Sequence, residues 1–146
     1  MIINRMSQLF STFFYIGKAK YAPGTIASFV TFLIWYYFTP ENILFRLLIF
    51  FGISIIGFFS IKNSLKYYND KDPQEIVIDE VIGMSLSLLF FTDLGTMFIA
   101  FILFRVFDIL KPSIIYYSQF YYGAYGIILD DLLAGLCTSV ILIKYI

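Results

Sequence analysis

Two pairs of adjacent carboxylates, Asp79-Glu80 and Asp130-Asp131, interrupt apolar runs, and this limits what the chain can fold into more than any other feature. Their surroundings are alike. Ile76-Val77-Ile78 and Val81-Ile82-Gly83 flank the first pair; Ile127-Ile128-Leu129 and Leu132-Leu133-Ala134-Gly135 flank the second. Taking a carboxylate out of water is costly, and a second one beside it adds repulsion. An acidic residue in a membrane-embedded segment is a functional-site candidate by default. Two such pairs ask for a multivalent cation.

Composition supports the membrane reading. Hydrophobic residues fill 60% of the 146 positions and charged residues only 14%, about half the usual share of a soluble domain. A soluble fold of this length has too little interior for so much Phe, Ile and Leu. Length fits a single domain over residues 1–146. Zero net charge argues against a nucleic-acid partner. The lone Cys137 excludes an internal disulfide and reads as a small packed residue. The first residues lack the clean apolar core and small-residue cleavage site of a signal peptide, so the spans are expected to be retained.

Hydropathy and punctuation predict an all-α, multi-helix integral membrane protein, with about five hydrophobic helices and an N-terminal interfacial helix. Residues 6–16 are too short to span, since ~20 residues are needed, and read as the interfacial or packed amphipathic helix. Thr25 is expected to cap a helix over 26–38, which Pro40 ends. Residues 43–61 form the cleanest span, with Arg46 placed to snorkel to the surface. Further helices are expected over 76–91, 96–110 and 127–143. Between the last two lies a tyrosine-rich run holding Tyr116, Tyr117, Tyr121, Tyr122 and Tyr125, residues that favour the membrane boundary. Five alternating crossings put Arg5, Lys18, Lys20, Lys62, Lys66, Lys71, Arg105 and Lys111 on one side and only Arg46 and Lys144 on the other. That bias makes the first side cytoplasmic, and the acids Asp79, Glu80, Asp108, Asp130 and Asp131 fall on it too. Four spans with a re-entrant pair at 76–110 are the alternative.

Neighbouring helix positions lie ~100° apart, so each acidic pair can flank one inward sector. Two such helices, with Asp108 from a third, can form a cage of hard oxygen ligands suited to Mg²⁺. Gly83 and Gly135 stand at similar offsets and allow close helix approach. Lys18, Lys20, Arg105 and Lys111 around such a cage suggest a phosphate-bearing substrate, with backbone donors at the helix start near Thr25. Blander readings exist for each: flanking charge for the lysines, an Asp108 ion pair for Arg105, capping for Thr25 and Ser28. With no histidine in the chain, phosphohistidine and Ser-His-Asp chemistry are impossible. Cys137 has no arginine downstream for a thiol phosphatase, and no Asp-x-Asp nucleophile motif of the haloacid dehalogenase type occurs. Metal-assisted attack by water remains. The reading from another class is a small cation-coupled transporter or channel subunit whose acids line an ion path.

Four stretches carry a family resemblance: Ala22-Pro23-Gly24-Thr25-Ile26-Ala27-Ser28, Ile76 through Met84, Phe104-Arg105-Val106-Phe107-Asp108-Ile109-Leu110-Lys111-Pro112, and Gly126 through Gly135. In that order they resemble the phosphatidylglycerophosphatase A family. The resemblance implies an all-helical fold and Mg²⁺-dependent hydrolysis of phosphatidylglycerophosphate to phosphatidylglycerol and phosphate. The setting implied is the bacterial inner membrane, with a multi-pass chain and a cytoplasmic active site. By position, Asp79, Glu80, Asp108, Asp130 and Asp131 look like the catalytic set, and Asp79, Glu80, Asp130 and Asp131 the metal ligands. Lys18, Thr25, Ser28, Arg105 and Lys111 look like phosphate contacts. The chain departs from the family pattern at Ala27, Ile114 and Ser118, none of them a core acid.

Overall fold

The structure, a computed structural model, describes residues 2–70, 73–112 and 123–145. Among these it contains six α-helices and no strand: α1 (Ile2–Ser11), α2 (Pro23–Phe38), α3 (Ile43–Ser64), α4 (Ile78–Leu88), α5 (Leu94–Leu110) and α6 (Ala124–Tyr145). Lys71, Ile114, Ser118 and the tyrosines from Tyr116 to Tyr122 lie outside the described residues.

Local chemistry sets the helix starts. Asn42 caps α3 by accepting from the Leu44 N–H at 2.9 Å, and Asp93 caps α5 by accepting from the Thr96 N–H at 2.8 Å. The expected Thr25 cap is not formed. Pro23 opens α2 instead, because its fixed φ and missing N–H suit the first helical position, and Thr25 lies inside the first turn. The first helix also sits earlier than expected. It stops at Ser11, where the Thr12 hydroxyl donates to the Gln8 carbonyl and accepts from the Tyr15 N–H. Such bonds compete with helix propagation, and the chain turns through Phe13, Phe14 and Tyr15 with φ of 44°, 54° and 68°.

Two stretches, Ile43–Tyr67 and Ala124–Tyr145, are long and apolar enough to cross a membrane. On α3, Leu48, Phe51, Ile55 and Phe59 form an exposed apolar stripe, while Phe50, Gly57 and Ile61 turn inward. α4, with 11 residues, is only ~16 Å long and cannot span. Its C-terminus therefore ends inside the protein, with carbonyls that need donors. Arg46 supplies them. Contrary to the snorkelling expectation, Arg46 is 2% exposed. It donates to the carbonyls of Pro40, Leu88, Leu89 and Phe91 and lies over the Trp35 ring.

α4 packs most extensively against α6. Gly83 and Gly135 make this possible: a Cβ on Gly83 would press on the Asp131 carbonyl, and one on Gly135 would overlap the Gly83 carbonyl. The close approach aligns the first turn of α4 with the second turn of α6. Both acidic pairs are thereby brought to one end of the bundle.

Candidate active site

The N-termini of α2 and α4, the C-terminus of α5 and the second turn of α6 converge on a cavity of about 430 Å³. Asp79, Glu80, Asp108, Asp130 and Asp131 all line it, together with Thr25, Arg105 and Lys111. Asp79, Glu80 and Asp131 form the tight centre, each offering one carboxylate oxygen within 4.8 Å of the others. Asp79 and Asp131 are 8% and 3% exposed. Asp79 Oδ1 and Glu80 Oε2 are buried without a hydrogen-bond partner. Buried polar atoms are almost always satisfied, so two orphaned carboxylate oxygens in one cluster fit the ligand set of a cation. Three hard oxygen donors in one cluster match Mg²⁺ or a similar divalent ion.

The other two acids are placed differently. Asp130 Oδ2 accepts from Lys111 Nζ at 2.6 Å, and Asp108 Oδ2 accepts from Arg105 Nη1 at 2.5 Å. Burial disfavours the Lys111 ammonium, but its bond to Asp130 and the fields of Asp108 and Asp131 outweigh this and hold its pKa above the ordinary value. It stays cationic. Arg105 Nε is buried and unpartnered, which leaves a guanidinium donor for an anion in the cavity. Helix ends add to the field: Asp79 and Glu80 lie in the first turn of α4, where the dipole favours negative charge, and Lys111 closes the C-terminus of α5, where it favours positive charge.

Ser28 is fully buried beneath this cavity rather than on its wall. Its Oγ donates to the Gly24 carbonyl at 2.8 Å and lies 3.4 Å from Arg105 Nη1. Lys18 is also absent from the acid-lined cavity. It borders an adjoining one of about 280 Å³ with Lys20, Gln74 and Glu75. Sequence reasoning missed Gly24, Pro73 and Gln74, which line the main cavity. For Gly24 a signal existed in the Pro-Gly turn; Pro73 and Gln74 sit in a polar connector with no motif to mark them. Ala22 and Lys111, both on the cavity wall, have φ of 43° and 45°, and each precedes a proline. Left-handed backbone at non-glycine residues costs about 1–3 kcal/mol and gathers at functional sites.

A family model described as Phosphatidylglycerophosphatase A matches residues 9–145. Phosphatidylglycerophosphatase A of Escherichia coli K12 is 32% identical over 131 residues, covering 86% of this chain and 75% of that one. A Bacteroides thetaiotaomicron protein provisionally named a phosphatidylinositol-3-phosphatase is 30% identical over 146 residues, covering 92% of this chain and 89% of its own. Phosphatidylglycerophosphatase A of Haemophilus influenzae is 38% identical over 73 residues, covering 48% and 45%. No solved structure matches the chain.

Proposed function

We propose a reaction course from the premise that this chain belongs to the phosphatidylglycerophosphatase A family and is a phosphoric monoester hydrolase of that activity. Residues 1–146 act as one unit embedded in the bacterial inner membrane, with the acid-lined cavity on the cytoplasmic side. The substrate is phosphatidylglycerophosphate, and the products are phosphatidylglycerol and inorganic phosphate.

Asp79, Glu80 and Asp131 would hold a Mg²⁺ ion. Bound there, the ion would supply Lewis-acid stabilisation of the phosphoryl oxygens and a more acidic water. Arg105 and Lys111 receive the phosphate monoester, aided by the N-terminal N–H groups of α2 and the Thr25 hydroxyl. Asp108 and Ser28 fix the Arg105 guanidinium, and Asp130 fixes Lys111. Water attacks phosphorus opposite the glycerol oxygen, the P–O bond to glycerol breaks, and the leaving oxygen takes up a proton. With no histidine in the chain, a cavity carboxylate accepts the proton of the attacking water.

The observation that carries this reading is the meeting of three mutually close, partly orphaned carboxylates with Arg105 and Lys111 in one cavity. An ion path would distribute acids through the membrane depth, whereas these gather at one end. The test is phosphate release by the purified chain in detergent. Phosphatidylglycerophosphate should be hydrolysed with Mg²⁺, and excess chelator should stop the reaction. Asp79→Asn and Asp131→Asn should each cost at least about 100-fold in kcat/KM. Activity that survives both substitutions would sink the site. Phosphatidylinositol 3-phosphate, suggested by the Bacteroides relative's name, serves as the comparison substrate.

A further inference from the structure

We infer that the cavity beside Lys18 and Lys20 is a second anion subsite, which takes the phosphodiester of the lipid while the acid-lined cavity takes the monoester to be cleaved. The inference rests on the reaction proposed above and names the part of the substrate that lies outside the reacting centre.

The two cavities adjoin, since Ala22, Pro23 and Gln74 border both. One ligand can therefore occupy the two together. Their charges differ in kind. In the acid-lined cavity both cations are compensated internally, Arg105 by Asp108 and Lys111 by Asp130. Among the described residues neither Lys18 nor Lys20 is in an ion pair. Each instead has its Nζ over a tyrosine ring, Lys18 at 5.2 Å from Tyr15 and Lys20 at 5.5 Å from Tyr21. Such contacts restrain the stems and leave the ammonium donors open.

Among the described residues Glu75 is the one acid on that wall, and it already accepts a hydrogen bond. It accepts from Tyr68 Oη at 3.1 Å. Burial and the bond to Glu75 push the Tyr68 phenol up to about 12, so it remains a donor at neutral pH. The Glu75 backbone carbonyl presses against Gly17, where any Cβ would collide with it, and this packs the 73–77 connector against the lysine turn. The result is a pocket beside the reaction cavity whose two cations have no ion-pair partner among the described residues. Phosphatidylglycerophosphate carries a diester and a monoester phosphate joined by a short polyol, which matches this pair of subsites.

The same chemistry could come from any neighbouring anionic phospholipid, so the test separates the sources. Full-length wild type and Lys18→Gln/Lys20→Gln are compared in neutral detergent with dihexanoyl lipids. For phosphatidylglycerophosphate, KM should rise about five- to tenfold in the double variant, with kcat within about twofold. Calorimetric Kd for phosphatidylglycerol, which keeps the diester but lacks the monoester, should rise by the same factor. Kd for inorganic phosphate should not move. Lys18→Arg/Lys20→Arg should restore the wild-type values. An unchanged Kd for phosphatidylglycerol overturns the inference, as does a parallel loss for inorganic phosphate. So does a Kd for phosphatidylserine that shifts as much as that for phosphatidylglycerol, which would mark a general anionic-lipid contact. Wild type that releases no phosphate would instead overturn the parent reaction, while lysine-dependent binding of phosphatidylglycerol still decides the subsite.

Discussion

Adjacent acids that read identically in the sequence have different surroundings in the fold. Asp131 joins Asp79 and Glu80 in the tight cluster, whereas Asp130 is bonded to Lys111. A rotation of ~100° between neighbours on α6 is the cause. Asp131→Asn is therefore expected to weaken Mn²⁺ binding, followed by electron paramagnetic resonance, at least about tenfold more than Asp130→Asn. Equal losses would show that the two carboxylates ligate alike. Gly24 tests the same centre from the substrate side. A Cβ there would overlap Glu80 Oε1, so Gly24→Ala must displace a cluster carboxylate. A displacement on the order of 1 Å near reacting groups costs roughly 100-fold. The expected outcome is a fall of that size in kcat with little change in thermal midpoint; full activity would mean that Glu80 is free to move without consequence. The five acids were legible as one cluster because charge inside apolar runs is rare. Their division between the tight carboxylate cluster and the pairs with Lys111 and Arg105 was not, since it depends on helix rotation and on where Lys111 ends α5.

Elements matter here through their ends. α4 is half a membrane crossing in length, and its two termini meet opposite needs: carboxylates at the N-terminal turn, Arg46 against the C-terminal carbonyls. Replacing Arg46 by Leu leaves the carbonyls of Leu88, Leu89 and Phe91 without this donor inside the protein. Unsatisfied buried groups cost about 1–3 kcal/mol each before relaxation. Arg46→Leu should thus lower stability by about 2–4 kcal/mol, read as reversible denaturation in mixed micelles, with Arg46→Lys recovering only part. A neutral Arg46→Leu would show that the α4 terminus finds other donors. Asp93→Ala removes an exposed cap and should cost only about 1 kcal/mol. The Thr96 N–H holds the Asp93 carboxyl below its usual range, so the cap contribution is present above the unfolded value of about 3.9 and fades as pH falls below it. Apolar length made these helices visible in the sequence, and glycine spacing made the α4–α6 approach visible. The snorkelling expectation for Arg46 failed because nothing in the local sequence says that another helix ends against it. The Thr25 cap failed because Pro23 starts the helix three residues earlier.

At the scale of the molecule, the cavity and Arg46 mark opposite ends of α4. Gly57 of α3 lies level with Ile78 and Ile82 of α4, while Arg46 meets Leu88 and Leu89. The first turn of α4 therefore sits about seven residues, or ~10 Å, inward from the Ser64 end of α3. An upright α3 of 22 residues is ~33 Å long, close to the ~30 Å hydrocarbon core. On the proposed topology the acids then lie roughly 10 Å inside one face of the bilayer, and the cavity is the place where a lipid headgroup phosphate would meet them. The proposed topology requires the 65–77 connector and the 39–42 turn to face opposite compartments, and Lys62 and Lys66 beside the connector predict that its side is the cytoplasmic one. Asn69 and Glu41 are exposed representatives of the two ends. In a Cys137→Ser background, Asn69→Cys should react with a membrane-impermeant maleimide only in inside-out vesicles. Glu41→Cys should react only in right-side-out ones. Modification of both from one face would mean that α3 does not cross, and the cavity would then have to meet its lipid from outside the bilayer.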